Sequence, residues 1–207
     1  MQLLLEEQKQ PAYIYLYFDR IDTLAHEYGP AAPQTEAEIE TFLLMMEYYF
    51  ERVFKGKRIL FLMTADHGQM EVNPRTTIFL NTNSQFTGIE RFLKTNLKGQ
   101  LLVPAGSPRD MFLYIKDDLL EEAQSFLARR LEGKADVVKT EYLIENGYFG
   151  PEVSSRLHER VGNLVILPYR YESVWWYEKG KFEQKFYGHH GGLTPEEMET
   201  VLYSCEI

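Results

Sequence analysis

Apolar runs and a helical stripe alternate along the first third of the chain. Residues 13–18 (YIYLYF) form a β-rich apolar run that ends at acidic residues, the pattern of a buried strand. After a loop holding Gly29, Pro30 and Pro33, the apolar positions Ile39, Phe42, Leu43, Met46, Phe50 and Val53 recur every 3.6 residues, which predicts a helix over 36–54. Thr35 and Glu38 read as a capping box at its start, and Gly56 ends it. Residues 58–63 (RILFLM) predict a second buried strand. Strand, helix and strand with near-continuous apolar runs point to an α/β fold, a parallel sheet covered on both faces by helices.

The pattern changes beyond residue 74. An irregular stretch over 74–108 carries a short β-like segment, 76–80, and Gly99, Pro104, Gly106 and Pro108. Strands are expected at 111–116 and 135–140, with an amphipathic helix over 117–131 between them, stopped by Gly133. Residues 81–187 therefore read as a small α+β insertion or cap, with strands 163–169 and 173–178 returning to the main sheet. Residues 1–80 and 188–207 read as the α/β core. Thr194, Pro195 and Glu197 open a last helix with a second capping box.

Composition narrows the function classes. With 44% hydrophobic and 14% aromatic residues, the 207-residue chain has enough apolar material for a sizeable core. Its formal charge of -9, from 31 acidic against 22 basic residues, argues against a nucleic-acid duplex as partner. A phosphorylated small molecule stays open, because bound cations invert the local field. The single cysteine, Cys205, excludes an internal disulfide and reads as a small apolar residue near the last helix. No apolar stretch approaches the length of a membrane span, and the first residues lack a leader pattern. Both observations point to the cytoplasm, with an export signal upstream left open.

Five residues in three short pieces have metal-ligating chemistry. They are Asp22 and His26 in FDRIDTLAHEYGP, Asp66 and His67 in TADHGQ, and His190 in GHHGG. Carboxylate oxygen and neutral imidazole suit zinc-like divalent cations. Asp22 and His26 are four apart, so one helical turn puts them on the same face. Asp66 and His67 follow an apolar run where a strand would end, and His190 precedes a helix. Ligands in an open parallel sheet collect at the carboxyl ends of strands, so all three pieces can meet there. Other residues read more plainly. His158 is a solvated helix residue, Arg109 in GSPRDM a surface turn charge, and Trp175 and Trp176 face opposite sides of a strand.

The order DxxxHxYGP, then DHG, then GHHGGLTPEEM resembles the alkaline phosphatase superfamily, and within it the type I phosphodiesterase/nucleotide pyrophosphatase family, over about residues 13–200. The resemblance implies two divalent metal ions, zinc in preference to manganese, and two-metal phosphoryl transfer on a nucleotide or phosphodiester. It makes Asp22, His26 and His190 ligands of one ion, and Asp66 and His67 two ligands of the other. His190 is chosen over His189 because it directly precedes the Gly-Gly pair. The family's further Asp and its Thr or Ser nucleophile have no counterpart here, so the chain is expected to be an N-terminally truncated part of such an enzyme. A sheet lacking its first strand should expose a flank and self-associate. A phosphomonoesterase, a phosphoglycerate-mutase-like enzyme and a non-catalytic metal-binding module are the alternatives.

Overall fold

The computed structural model describes residues 10–207; residues 1–9 lie outside the described residues. Helix α1 spans Arg20–Tyr28 and α2 spans Pro33–Tyr49, followed by a single π turn over Phe50–Phe54. Pro33 sits in the first turn of α2, where its missing N–H costs nothing. Thr35 does not cap the helix. Its hydroxyl is buried and donates to the Gly29 carbonyl at 2.8 Å, tying the two helices together. Of the predicted apolar stripe, Met46 is buried, while Ile39 and Leu43 are exposed.

Strand β1 (Leu60–Thr64) forms where a strand was expected, but it is not buried. It pairs antiparallel with β10 (Leu202–Glu206), and its faces alternate between exposed and half-buried. Cys205 therefore lies in a strand and not beside a helix; the final helix is one turn, Pro195–Met198. The segment 13–18 is exposed and forms no ladder with any described residue. An apolar β-rich run becomes a strand only when a neighbour takes up its N–H and C=O groups. The expected parallel pairing between 13–18 and 58–63 is absent for that reason.

The interior is built around four antiparallel strands, β4 (Ala105–Ser107), β5 (Asp110–Leu113), β6 (Ala135–Lys139) and β7 (Leu164–Pro168), in the order β4-β5-β7-β6. Strand alternation decides which side each residue fills. Met111, Leu113, Ala135, Val137, Leu164 and Ile166 face a large cluster completed by Leu80, Phe86 and Phe92. Phe112 and Val165 face a second cluster with Leu143 and Val161. Helix α3 (Leu120–Arg130) covers the first face with Ala123, Phe126 and Leu127, the i, i+3, i+4 positions of one stripe. β7 is thus a member of this sheet and does not return to another one. Trp175 and Trp176 both pack on the first cluster, contrary to the expected split.

Four short strands, in two pairs, complete the connections that matter for the site. β3 (Ile78–Phe79) pairs parallel with β8 (Val174–Trp175). β2 (Met70–Glu71) pairs antiparallel with β9 (Gly188–His189), in the register Met70 to His189 and Glu71 to Gly188. No helix among the described residues is long and apolar enough to cross a membrane.

Candidate metal centre

The β2–β9 ladder brings the DHG and HHGG motifs side by side, and backbone bonds bring α1 to the same place. Tyr187 N–H donates to the His26 carbonyl at 2.8 Å, and the His26 ring nitrogen Nδ1 lies 2.7 Å from the Gly188 carbonyl. A carbonyl only accepts, so Nδ1 carries the proton and Nε2 keeps its lone pair free. His67 repeats the arrangement, with Nδ1 3.0 Å from the Gly68 carbonyl. Backbone carbonyls thus set both tautomers so that Nε2 is the ligating atom, the usual supporting arrangement around metal-bound imidazole.

Asp22, His26 and His190 each present a ligand atom, and these atoms lie within 4.8 Å of one another. Asp22 Oδ1 is 3.5 Å from His26 Nε2, one helical turn on. The His26 and His190 rings sit 5.0 Å apart between centroids, and His67 stacks on His190 at 3.7 Å. Burial and the neighbouring imidazoles of His67 and His26 hold His190 below the ordinary histidine range. Its ring is therefore neutral at pH 7. One carboxylate and two imidazoles at this spacing are a donor set that fits zinc or a similar cation. Asp66 stands apart: it is exposed, 3.7 Å from His67 Nε2, and outside the three-residue group.

His189 points elsewhere. It is buried and hydrogen-bonded through Nε2 to Gln184, and burial, followed by the closeness of the His26 and His190 rings, pushes it down to about 4. His158 is exposed on helix α4 (Ser155–Arg160).

Two features were not legible in the sequence. Gln69, directly after DHG, donates through Nε2 to Asp22 Oδ1 at 2.5 Å and to the Asp22 carbonyl at 3.1 Å. It fixes the carboxylate that faces His26. Arg109 is fully buried, not a surface turn charge. It grips Glu197 with two bonds, Nε to Oε1 at 2.9 Å and a terminal nitrogen to Oε2 at 2.8 Å, and donates to the Tyr169 and Glu172 carbonyls. Burial alone would raise the Glu197 carboxyl. Hydrogen bonds from Arg109, Thr194 and the Gly192 N–H outweigh it and hold the group below the usual range. Glu197 thus takes the Thr194 hydroxyl at 2.7 Å, not the reciprocal backbone bonds of a capping box.

Gly188 marks a close approach between α1 and β9. A Cβ there would lie 2.2 Å from the Ala25 carbonyl oxygen and 2.5 Å from Gln69 Oε1. We expect Gly188→Ala to push α1 away from β9 and to destabilise the protein by roughly 1–3 kcal/mol, the range for overpacking. Urea unfolding checks this, and unchanged stability would show that the contact yields freely.

The strands and helices define an alkaline-phosphatase-like α/β fold. Within that class, a model of the type I phosphodiesterase / nucleotide pyrophosphatase family matches residues 2–193, and the chain belongs to this family of hydrolases. Murine ectonucleotide pyrophosphatase / phosphodiesterase 5 is similar in structure, with a TM-score of 0.66 at 16% identity, over 98% of this chain and 50% of that one. An inactive form of the murine protein in complex with AMP gives 0.65 at 16% identity, over 98% and 49%. The human counterpart gives 0.52 at 14% identity, over 88% and 44%. At these identities the likeness shows the fold, and the chain spans about half the length of these proteins. No curated protein matches it.

Proposed function

We propose that the chain carries the metal-ligand part of a phosphoric ester hydrolase of the phosphodiesterase/nucleotide pyrophosphatase type. The observation that carries this reading is the convergence of Asp22, His26 and His190, contributed by α1 and by a loop more than 160 residues away, within 4.8 Å. In this reading the three hold one divalent cation, zinc in preference to manganese, and Asp66 and His67 provide two ligands for a second. Such ions, when bound, supply Lewis-acid stabilisation of phosphoryl oxygens and lower the pKa of an attacking hydroxyl or water.

The chain's own residues do the positioning. Gly188 and Gly68 carbonyls orient the imidazoles, and Gln69 orients the Asp22 carboxylate. The substrate is a nucleotide or other small phosphodiester, in keeping with the AMP complex of the murine relative. The covalent Thr or Ser of the family reaction has no counterpart in the motifs of this sequence, and we assign it to sequence outside this chain. A panel of aryl phosphodiesters and monoesters, given to zinc-loaded protein from the full reading frame, tests the class. We expect diester hydrolysis to dominate; preferential monoester hydrolysis would contradict it. The exposure of Asp66 favours a second reading, a metal-binding module without catalysis, and a panel with no turnover would support that one.

The proposal extends to association. By register Leu60, Leu62 and Leu202 share one face of the β1–β10 pair, at 64%, 59% and 79% exposure. An apolar sheet face left open to water favours self-association. Light scattering should give a mass above that of one chain, and a monodisperse monomer would contradict the expectation.

A further inference from the structure

From the buried contacts around the HHGG loop we infer that Arg109, Glu197 and Ser107 form a clamp that positions His190 for metal binding; the inference rests on the metal site proposed above. Glu197 is its hub. Its side chain accepts from Arg109 and from the Gly192 N–H at 3.0 Å, and its backbone carbonyl accepts the Gly68 N–H at 2.9 Å. One residue on the short helix after the loop therefore binds the DHG motif, the HHGG motif and the β4–β5 turn together. Arg109 is anchored in turn to the Tyr169 and Glu172 carbonyls, so the clamp is referred to the four-stranded core.

The two glycines behind His190 fit between the members of this clamp. A Cβ at Gly192 would lie 2.6 Å from Glu197 Oε2. One at Gly191, which has φ +109, would lie 2.8 Å from Ser107 Oγ and 3.0 Å from Asp110 Oδ1. Ser107 Oγ also sits 3.0 Å from the carbonyl of His190 itself. Its single proton serves either that carbonyl or Asp110 Oδ1, 2.5 Å away, while the Arg109 N–H donates to the hydroxyl oxygen at 3.1 Å. Asp110, raised to about 6 by burial against the opposing bonds from Ser107, closes the far side. No member of the clamp belongs to the ligand group, yet together they hold the carbonyl of His190 and the two glycines that follow it.

These are positioning residues, and the sequence conceals them. Arg109 and Glu197 are 88 positions apart, with nothing in either local pattern to mark a buried ion pair. A clamp of this kind changes metal affinity, whereas a general stabilising pair changes the unfolding temperature alone.

Co²⁺ separates the two. The metal-free chain and its Glu197→Gln variant are titrated with Co²⁺, following the visible ligand-field bands, and each is melted without metal. Glu197→Gln keeps the side-chain size and one acceptor but loses the bidentate carboxylate. We expect the folded variant to bind Co²⁺ about 10- to 100-fold more weakly, the range for partners that support metal ligands, with displaced bands. An unchanged affinity and spectrum, even with a lower melting temperature, would overturn the clamp. If Glu197→Gln does not fold, Ser107→Ala is read by the same criterion, with weaker Co²⁺ binding expected and unaltered binding overturning the inference. Failure of the unsubstituted chain to bind Co²⁺ would overturn the metal-site reading itself, and the inference with it.

Discussion

Replacing His190 with alanine is expected to weaken zinc binding about a hundred-fold or more, since even the partners that merely support metal ligands cost 10- to 100-fold when removed. His190 is the member of the group supplied by the far end of the chain, and the ladder from Met70 to His189 brings it alongside the DHG motif. Its ring is half-buried and kept neutral by burial and by the adjacent imidazoles, so the free protein already holds it in its ligating form. Alanine removes one of three donors and leaves Asp22 and His26 on α1 without closure from the opposite side. His189→Ala is the control, because its Nε2 is engaged by Gln184 and it lies outside the ligand group. Calorimetric titration of chelator-treated protein measures both, and equal affinity of His190→Ala and the unsubstituted chain would contradict the assignment.

Arg109→Met is expected to produce the largest loss of stability. Glu197 is 1% exposed and Arg109 fully buried, and removing one partner of such a pair strands a charge in the interior at a cost of about 3–5 kcal/mol. The Tyr169 and Glu172 carbonyls lose their donor as well. The pH dependence has a definite sign. The folded-state pKa of Glu197 lies below its ordinary value of 4.5, so its contribution is complete above that value and is lost as the pH falls through the lower, folded one. The gap between Arg109→Met and the unsubstituted protein should therefore be widest near neutrality and narrow below pH 4.5. Urea unfolding at several pH values measures this. A gap under about 1 kcal/mol at pH 7, the worth of a typical exposed ion pair, would contradict the structural role given to Arg109.

Where the sequence was legible, it was because local chemistry and periodicity coincide with burial. The strands at 110–113 and 164–168 fill both faces of one sheet, so their apolar runs are continuous, and α3 shows a clean stripe because one side meets that sheet. Pairing is another matter. The run at 13–18 has the composition of a strand, but nothing local states which segment would complete its hydrogen bonds. The partner of 60–64 proved to be 202–206, some 140 residues on. The motifs DxxxH, DHG and HHGG were readable because Asp and His beside glycine have distinctive chemistry. Gln69, Arg109 and Glu197 were not, since an amide after a motif, an arginine in a proline turn and a glutamate in a helix all have ordinary surface explanations. Only their long-range contacts give them a role.

The most direct test of the account is a crystal of the chain soaked in zinc and measured with anomalous scattering on both sides of the zinc absorption edge. A peak is predicted among Asp22, His26 Nε2 and His190. An empty map there, or zinc held only at unrelated surface residues, would contradict it.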